Sequence, residues 1–430
     1  MKKVLIITYY WPPAGGPGVQ RWLKFVKYLR DFGIEPVVYI PENPNYPLID
    51  ESFLKEVPED IEIIRRPIFE PYKFASFLSK KDTKTISSGI IKRKEKQSFM
   101  QKLMLYIRGN FFIPDARKFW IKPSVKFLKL YLKRSNIETV ITTGPPHSLH
   151  LIGLALKKEL QLRWIADFRD PWTQIGYQKE LKLTKNSAEK HQRLEKEVLN
   201  SADKIITTSF TTKKEFASKT SKPIHVITNG FDTELNAETN LELKLDENFS
   251  ISHIGSLLSG RNPASLWKTL AEISAENKHF RSDLKLKLYG AVSDEVVQSI
   301  NEAGLEENLL LGGYISHSEA LGLQKTSQIL LLIEINSEET KGIIAGKLFE
   351  YLAAKRPILA IGPSDWDVAR IIEETSSGKS FQYQEERALK EFILSSYQNY
   401  RENKLLSDSK NIEDYHRKNL TKKLAELIKK

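Results

Sequence analysis

KGIIAGKLFEYLAAKRPILAIGP, residues 341–363, is the stretch that decides the fold. A small, Gly-punctuated loop runs into a helix pattern carrying Lys347 and Glu350. Arg356-Pro357 breaks that helix, the apolar run Ile358–Ile361 follows as a strand, and Gly362-Pro363 ends it. The start of such a helix offers free backbone N–H groups and a partial positive charge to an anion. Lys347 and Glu350 stand three residues apart, which puts a cation and a carboxylate on one helix face. A ligand with phosphate at one end and hydroxyls at the other suits that arrangement, and a nucleotide sugar is such a ligand.

Working outward, the same order of strand, glycine loop and helix recurs. In the second half, Ser250–Ile254, Leu284–Tyr289 and Ile329–Ile333 join Ile358–Ile361 as strands. In the first half, Val4–Tyr9, Pro36–Ile40, Val140–Thr143, Arg163–Ala166, Lys204–Thr208 and Ile224–Thr228 alternate with helical patterns. Such alternation predicts parallel, doubly wound sheets, so the chain reads as α/β with two Rossmann-like domains. The first spans 1–235 and the second 236–412, with a polar junction near 233–248. A lone helix over about 413–430 closes the chain.

The length of 430 residues exceeds one ordinary core and agrees with two. The absence of cysteine excludes disulfides, thiolate metal sites and Cys nucleophiles, and fits a reducing compartment. The run Val4–Ile7 is too short for a signal peptide, and no stretch approaches the roughly 20 apolar residues of a membrane span.

Charge is concentrated. Residues 73–134 hold 17 Lys and Arg against 3 Asp and Glu, a local +14 in a chain of net +12. This segment, about 74–135, interrupts the strand–helix rhythm and reads as a basic helical insertion. Aromatic and apolar residues at helical spacing between Met100 and Tyr131 suggest an amphipathic element for an anionic membrane surface. An ordinary insertion with a solvated basic face is the plain alternative. No nucleic-acid motif accompanies the charge, so no nucleic-acid partner is expected.

Several strand-end loops carry chemistry. WPPAGGPG, residues 11–18, follows the first strand, where Gly15 and Gly16 let backbone approach a phosphate or sugar. GPPHS, residues 144–148, puts His147 at a helix start, as a general acid/base or as a structural residue. DFRDPW, residues 167–172, packs Asp167, Arg169 and Asp170 into four residues at a strand terminus, which is costly unless they are paired or used. Asn229-Gly230 forms a turn after the sixth strand. In the second half Gly255-Ser256 and Arg261 flank a loop fit for a diphosphate, with Arg261 as the bidentate donor. Asp365-Trp366-Asp367 has the look of a metal motif, but Ser364 with Asp367 reads better as a capping box. No metal is expected.

These stretches in this order (YWPPAGGPGVQRW, TTGPPHS with IADFRDPW, TNGFD, HIGSL with GRNP, and GKLFEYLAAKRPILA) resemble the family 4 glycosyltransferases of the GT-B class. The resemblance covers nearly the whole chain except part of 74–135. It implies two Rossmann-like domains facing across a cleft, a final helix returning to the first domain, retention of anomeric configuration, and no obligatory metal or other cofactor. It implies a nucleotide-diphosphate sugar as donor and a saccharide or lipid-linked acceptor, of the kind used in cell-envelope polysaccharide synthesis. The expected location is cytoplasmic, peripheral on the inner face of the membrane. Carried over residue by residue, Gly15 and Gly16 line the acceptor side with Asn229. Arg261 and Lys347 meet the diphosphate, beside Gly255, Ser256 and Gly346. Glu350 matches the second Glu of the family's paired-Glu signature and grips the ribose, while Gly342 stands where the first Glu belongs. Arg169-Asp170 falls where many members carry a His-Asp, so Asp170, Arg169 and His147 are the catalytic candidates. A sugar-nucleotide epimerase or hydrolase on the same architecture is the competing reading, and a non-catalytic nucleic-acid or membrane binder a weaker one.

Overall fold

The computed structural model describes residues 1–71, 99–174, 181–232 and 244–430. Most of the insertion's basic run and most of the predicted junction lie outside these residues. The chain divides into two compact units. Unit 1 holds Met1–Asn229 and Arg417–Lys430, and unit 2 holds Gly230–His416.

Unit 1 is built on a seven-stranded sheet in the order β3-β2-β1-β4-β5-β6-β7. Its strands are β1 Lys2–Ile7, β2 Ile34–Pro41, β3 Glu62–Arg66, β4 Thr139–Gly144, β5 Arg163–Phe168, β6 Lys204–Thr207 and β7 Ile224–Val226. Unit 2 has a six-stranded sheet in the order β10-β9-β8-β11-β12-β13. Here the strands are β8 Phe249–Ile254, β9 Leu284–Tyr289, β10 Leu309–Gly313, β11 Ile329–Ile333, β12 Ile358–Gly362 and β13 Gly378–Gln382. All pairings in both sheets are parallel. The sheets are therefore doubly wound, as the alternation of patterns predicts. In each, strand order reverses between the first strand and its fourth, which opens a crevice beyond the carboxyl ends of β1 and β4 and of β8 and β11.

Three strands escape the sequence reading: β3, β10 and β13. All are edge strands, and all carry partly or fully exposed residues where central strands such as β11 are buried on both faces. Central strands such as β11 (ILLLI) are buried along their whole length, because helices cover both sides of the sheet, and any polar residue in them needs an internal partner, as Asp167 in β5 has.

The helix Ile121–Ser135 corrects the reading of an insertion over 74–135. It is the crossover into β4, and Val125, Leu128 and Leu132 on its inner face belong to the core with Trp120 and Trp164. Its apolar stripe is thus used in folding. The helix Phe99–Phe111 behaves differently. Leu105 is buried, whereas Phe99, Leu103, Tyr106, Ile107 and Phe111 are exposed.

The final helix, Arg417–Lys429, packs in unit 1 against the first helix, Pro17–Leu29. Leu420, Leu424, Ala425 and Ile428 join Val19, Trp22, Leu23 and Val26 in one core. Its C-terminal carbonyls have no intrahelical partners. Three cations from the amino ends of strands supply them. Lys2 Nζ and Arg163 Nη1 each donate to Ile428 O at 3.0 Å, and Arg163 Nη2 and Lys204 Nζ donate to Leu427 O at 2.7 and 2.9 Å. Positive charge at a helix C-terminus also opposes the negative end of its dipole.

Candidate functional site

In unit 2 the functional candidates gather around the ends of β8 and β11. Gly255 follows β8 directly with φ +128°, a conformation that glycine alone adopts readily. A Cβ built there would lie 2.7 Å from Lys347 Nζ, so a side chain at 255 would displace the lysine. Lys347 stands in the first turn of the helix Gly346–Ala354. That turn has no side-chain cap and no acidic residue; Leu348 N donates back to Ala345 O at 3.0 Å, which leaves the Gly346 and Lys347 N–H groups for a ligand. Burial pulls the Lys347 ammonium down to about 8, with help from the nearby Arg261 and against the pull of Glu334 and Glu350. Arg261 is half-buried and donates through Nε to Glu334 Oε1 at 3.0 Å and through Nη2 to Glu334 Oε2 at 3.3 Å. The structure thus brings Gly255, Arg261, Gly346 and Lys347 together. Ser256 is exposed at the same strand end.

Glu350, one turn further along the helix, meets His317 Nε2 at 3.1 Å through Oε1 and accepts from Gln324 Nε2 at 2.9 Å through Oε2. Both partners lie on the helix His317–Thr326, which carries a Ser316–Glu319 capping box. Gly342 has no carboxylate to offer, and the exposed Glu338 pairs with Lys341 at 2.8 Å. Asp365 and Asp367 do not converge. Asp365 is exposed 3.8 Å from Lys341, and Asp367 is buried. The capping box expected from Ser364 does not form, because the helix Asp367–Thr375 begins after Trp366 with no side-chain cap. Trp366 instead fills the position and donates from Nε1 to Ile343 O at 2.7 Å.

In unit 1, Gly15 N donates to Leu48 O at 3.0 Å, and Asp50 N to Pro13 O at 2.8 Å, which ties the glycine loop to the segment after β2. Gly16 takes φ +97° and caps the helix Pro17–Leu29 without a side chain. Arg169 holds the strand ends together. Its backbone N–H and Nε donate to Gly144 O at 2.9 and 3.4 Å, and Nη2 donates to Pro145 O. Its guanidinium packs against Gly18, where a Cβ would collide with Nη1, and lies 5.6 Å from the centre of the Tyr10 ring. Asp170 is exposed beside it.

His147 is 5% exposed and stacks on Trp172 at 4.8 Å with parallel rings. Burial holds its imidazole neutral, well below the usual histidine range, aided by His150 and Arg169. Its ring does not cap the helix Ser148–Glu159. Asp115 does so, accepting from Ser148 N at 2.9 Å and Ser148 Oγ at 2.6 Å, so that helix start already faces a carboxylate. Trp172 Nε1 donates to His191 Nδ1 at 3.0 Å, and buried Glu195 accepts from Thr173 and Lys219. His147 therefore belongs to a packed wall behind the loop that carries Arg169 and Asp170.

Sequence reasoning missed Arg21. It donates through two nitrogens to the fully buried Asp167 and through Nη1 to Thr228 O at 2.8 Å, next to Asn229. It also missed His253, Glu334, His317 and Gln324. Glu334 left a signal, being a charge placed directly after the apolar strand ILLLI.

The sequence profile of Glycosyltransferase Family 4 matches residues 92–235. Over that segment, about a third of the chain, the sequence is similar to glycosyltransferase family 4. No curated protein matches the chain. Solved structures of the same architecture span nearly its full length. A glycosyltransferase from Rickettsia africae superposes with a TM-score of 0.62 at 13% identity, covering 100% of this chain and 98% of its own. A mutant of S. aureus TarM, in complex with fondaparinux, α-GlcNAc-glycerol and UDP, gives 0.56 at 13% identity with 100% of both chains covered. A protein from Listeria monocytogenes described as a UDP-N-acetylglucosamine 2-epimerase gives 0.54 at 12% identity, covering 100% of this chain and 96% of its own. At such identities the likeness shows the GT-B fold alone. A family 4 enzyme moves a sugar from a nucleotide sugar. Among the described residues no group of three or more His, Cys, Asp or Glu is placed to hold a metal ion.

Proposed function

We propose that the chain transfers a sugar from a nucleotide-diphosphate sugar to a saccharide or lipid-linked acceptor, with retention of configuration and without a metal. Unit 2 is the donor side and unit 1 the acceptor side. The observation that carries this reading is the meeting of Lys347, Arg261 and Gly255 at the uncapped start of the helix Gly346–Ala354. A leaving nucleoside diphosphate gathers negative charge, and two cations with free helix N–H groups stabilise it as it develops. Glu350 is then the ribose residue, its carboxylate steered by His317 and Gln324. Ser256 and Gly346 line the phosphates. Gly15, Gly16 and Asn229 border the acceptor with Asp170, whose exposed carboxylate is the candidate to orient the acceptor hydroxyl. Arg169 shapes that loop through the Gly144 and Pro145 carbonyls, and His147 supports it from behind. In a retaining reaction of this kind the departing phosphate oxygen can take the acceptor proton, so no protein nucleophile is required.

The acceptor side fits a membrane setting. The helix Phe99–Phe111 exposes Phe99, Leu103, Tyr106, Ile107 and Phe111, and its Lys102 and Arg108 are cationic. Phe119 is exposed nearby and packs edge-on to Phe69 and Phe112. An apolar face flanked by cations suits the surface of an anionic bilayer. Among the described residues no helix is long and apolar enough to cross one. We propose that the enzyme works at the cytoplasmic face of the membrane, in envelope polysaccharide synthesis, a reading supported by that apolar, cation-flanked face.

The test is a transfer assay with radiolabelled UDP- and GDP-sugars and membrane lipid extract as acceptor, run with and without EDTA. Label in a glycolipid product, undiminished by EDTA, supports the reading. Epimerised sugar nucleotide formed without acceptor would sink it.

A further inference from the structure

His253 and Glu334 are both buried, and both sit at strand ends of unit 2 behind the two cations. His253 closes β8. Its Nδ1 lies 3.0 Å from Leu331 O, and a carbonyl can only accept, so Nδ1 carries the proton. Nε2 is then a lone pair, and it lies 3.4 Å from Lys347 Nζ. Glu334 follows β11. Its carboxylate accepts from two Arg261 nitrogens and from Ile335 N at 2.8 Å, and its backbone O accepts from Tyr383 Oη at 2.8 Å.

The two partners differ in kind, and the difference suits the two cations. Arginine keeps its charge at any working pH, so a carboxylate beneath it fixes the fork without risk to the proton. Lysine can lose its proton when buried. A neutral imidazole accepts from it without cancelling its charge, which remains available to an anion.

We propose that His253 and Glu334 are positioning residues that anchor Lys347 and Arg261 as a pair, and that their arrangement makes diphosphate binding proton-linked. This rests on the donor reading of unit 2. The charged and titratable groups facing Lys347 are Arg261, Glu334, Glu350 and His253. Burial and Arg261 bring the free ammonium to about 8, while Glu334 and Glu350 oppose that fall. A bound diphosphate needs the protonated form, so affinity declines as pH rises through about 8. Removing the charge of Glu334 loosens Arg261 and also weakens the hold on the Lys347 proton. The alkaline decline must then move to lower pH.

Calorimetric titration with UDP, GDP and inorganic pyrophosphate between pH 6 and 9.5 tests this, with each variant first checked for a cooperative melt. For whichever probe binds, wild type is expected to weaken above pH 8. Glu334→Gln is expected to bind about tenfold more weakly at pH 7, as for loss of a charged hydrogen bond, with its alkaline limb displaced to lower pH. Glu334→Asp keeps the charge at shorter reach, so it should lose affinity and keep the limb. His253→Phe removes the acceptor for Lys347 and should weaken binding, whereas His253→Gln should restore part of it. Wild-type affinity and limb in Glu334→Gln and His253→Phe would overturn the proposal. So would a uniform loss in Glu334→Gln with an unmoved limb, because that is the mark of a merely structural residue. If none of the three probes binds wild type at any pH, the donor reading itself falls.

Discussion

Arg21 grips the buried carboxylate of Asp167 with two nitrogens, Nη2 to Oδ1 at 2.8 Å and Nε to Oδ2 at 3.3 Å. Trp22 Nε1 and Thr143 Oγ1 each donate to Oδ2 at 2.8 Å. One carboxylate thus ties the first helix to β4 and β5 beneath the glycine loop. Burial alone would raise the Asp167 pKa, but Arg21 and the other donors outweigh it and hold the group below the ordinary carboxylate value. Breaking one side of a buried pair strands the other charge. Arg21→Met is expected to cost about 3–5 kcal/mol, and roughly 6 °C or more of melting temperature at this domain size. A depressed carboxylate pKa stabilises above the unfolded value, near 3.9, and the contribution is lost as pH falls below it. Thermal melts of wild type and variant should therefore converge under acid conditions. Equal stability at pH 7 would contradict the role.

Buried neutral histidines give a second pH effect at milder acidity. His150 and His253 are pushed down to about 3, chiefly by burial, and His147 is lowered well below its usual value for the same reason. The unfolded chain binds protons at these positions near pH 6.5 while the folded chain does not. Stability is therefore fully present above pH 6.5 and falls as pH drops below it, by up to about 1.4 kcal/mol per unit for each histidine. The melting temperature should be level from pH 7 to 8 and decline steadily towards pH 5. His150→Phe should decline less steeply than wild type, although it forfeits the Thr142 hydrogen bond at 2.9 Å.

Gly255→Ala probes the donor site with a single methyl group. The backbone at φ +128° costs an L-residue about 1–3 kcal/mol, and the new carbon would sit against Lys347 Nζ. The expected result is a folded variant with at least a roughly tenfold loss of transfer, as for losing about one charge-assisted contact. Retention of wild-type turnover would remove Lys347 from the diphosphate site.

The final helix makes a stability prediction separate from chemistry. Arg163→Ala takes two donors from the Leu427 and Ile428 carbonyls. Each lost charged hydrogen bond contributes about 1.5–3 kcal/mol, and the helix should become the first segment cut in limited proteolysis. Unchanged protection of residues 417–430 would argue that Lys2 and Lys204 suffice.

Phe99→Ser with Phe111→Ser tests the membrane face. Co-sedimentation with anionic vesicles should fall several-fold, while transfer to a short water-soluble acceptor stays the same. Binding that ignores both substitutions would locate the attachment elsewhere.

The central strands and their loops were legible because physics gives them few choices. A strand covered on both faces is mostly apolar, as ILLLI and ILAIG are, and a tight strand-to-helix turn needs glycine where φ is positive, as at Gly16 and Gly255. Three of the four edge strands, β3, β10 and β13, were not legible. EIIRR in β3 and GKSFQ in β13 meet solvent and carry no such constraint. The helix Ile121–Ser135 misled for a related reason: a basic, amphipathic pattern looks the same whether its apolar side meets a bilayer or, as here, a sheet. Among the site residues, Lys347 and Arg261 announced themselves through local pattern. Arg21, His253 and Glu334 did not, since each matters only through a partner between 73 and 146 residues away.

The sequence by itself determined two parallel α/β units, the glycine loops at their strand ends, and a cation-bearing helix start in the second. These follow from local periodicity and turn chemistry, which neighbouring residues settle among themselves. Tertiary structure alone decided which charges meet. It paired Arg21 with Asp167, set His253 behind Lys347 and Glu334 behind Arg261, and enclosed His147 against Trp172. Burial and long-range pairing fix the charge states of such groups, and neither is written in the spacing of residues along the chain.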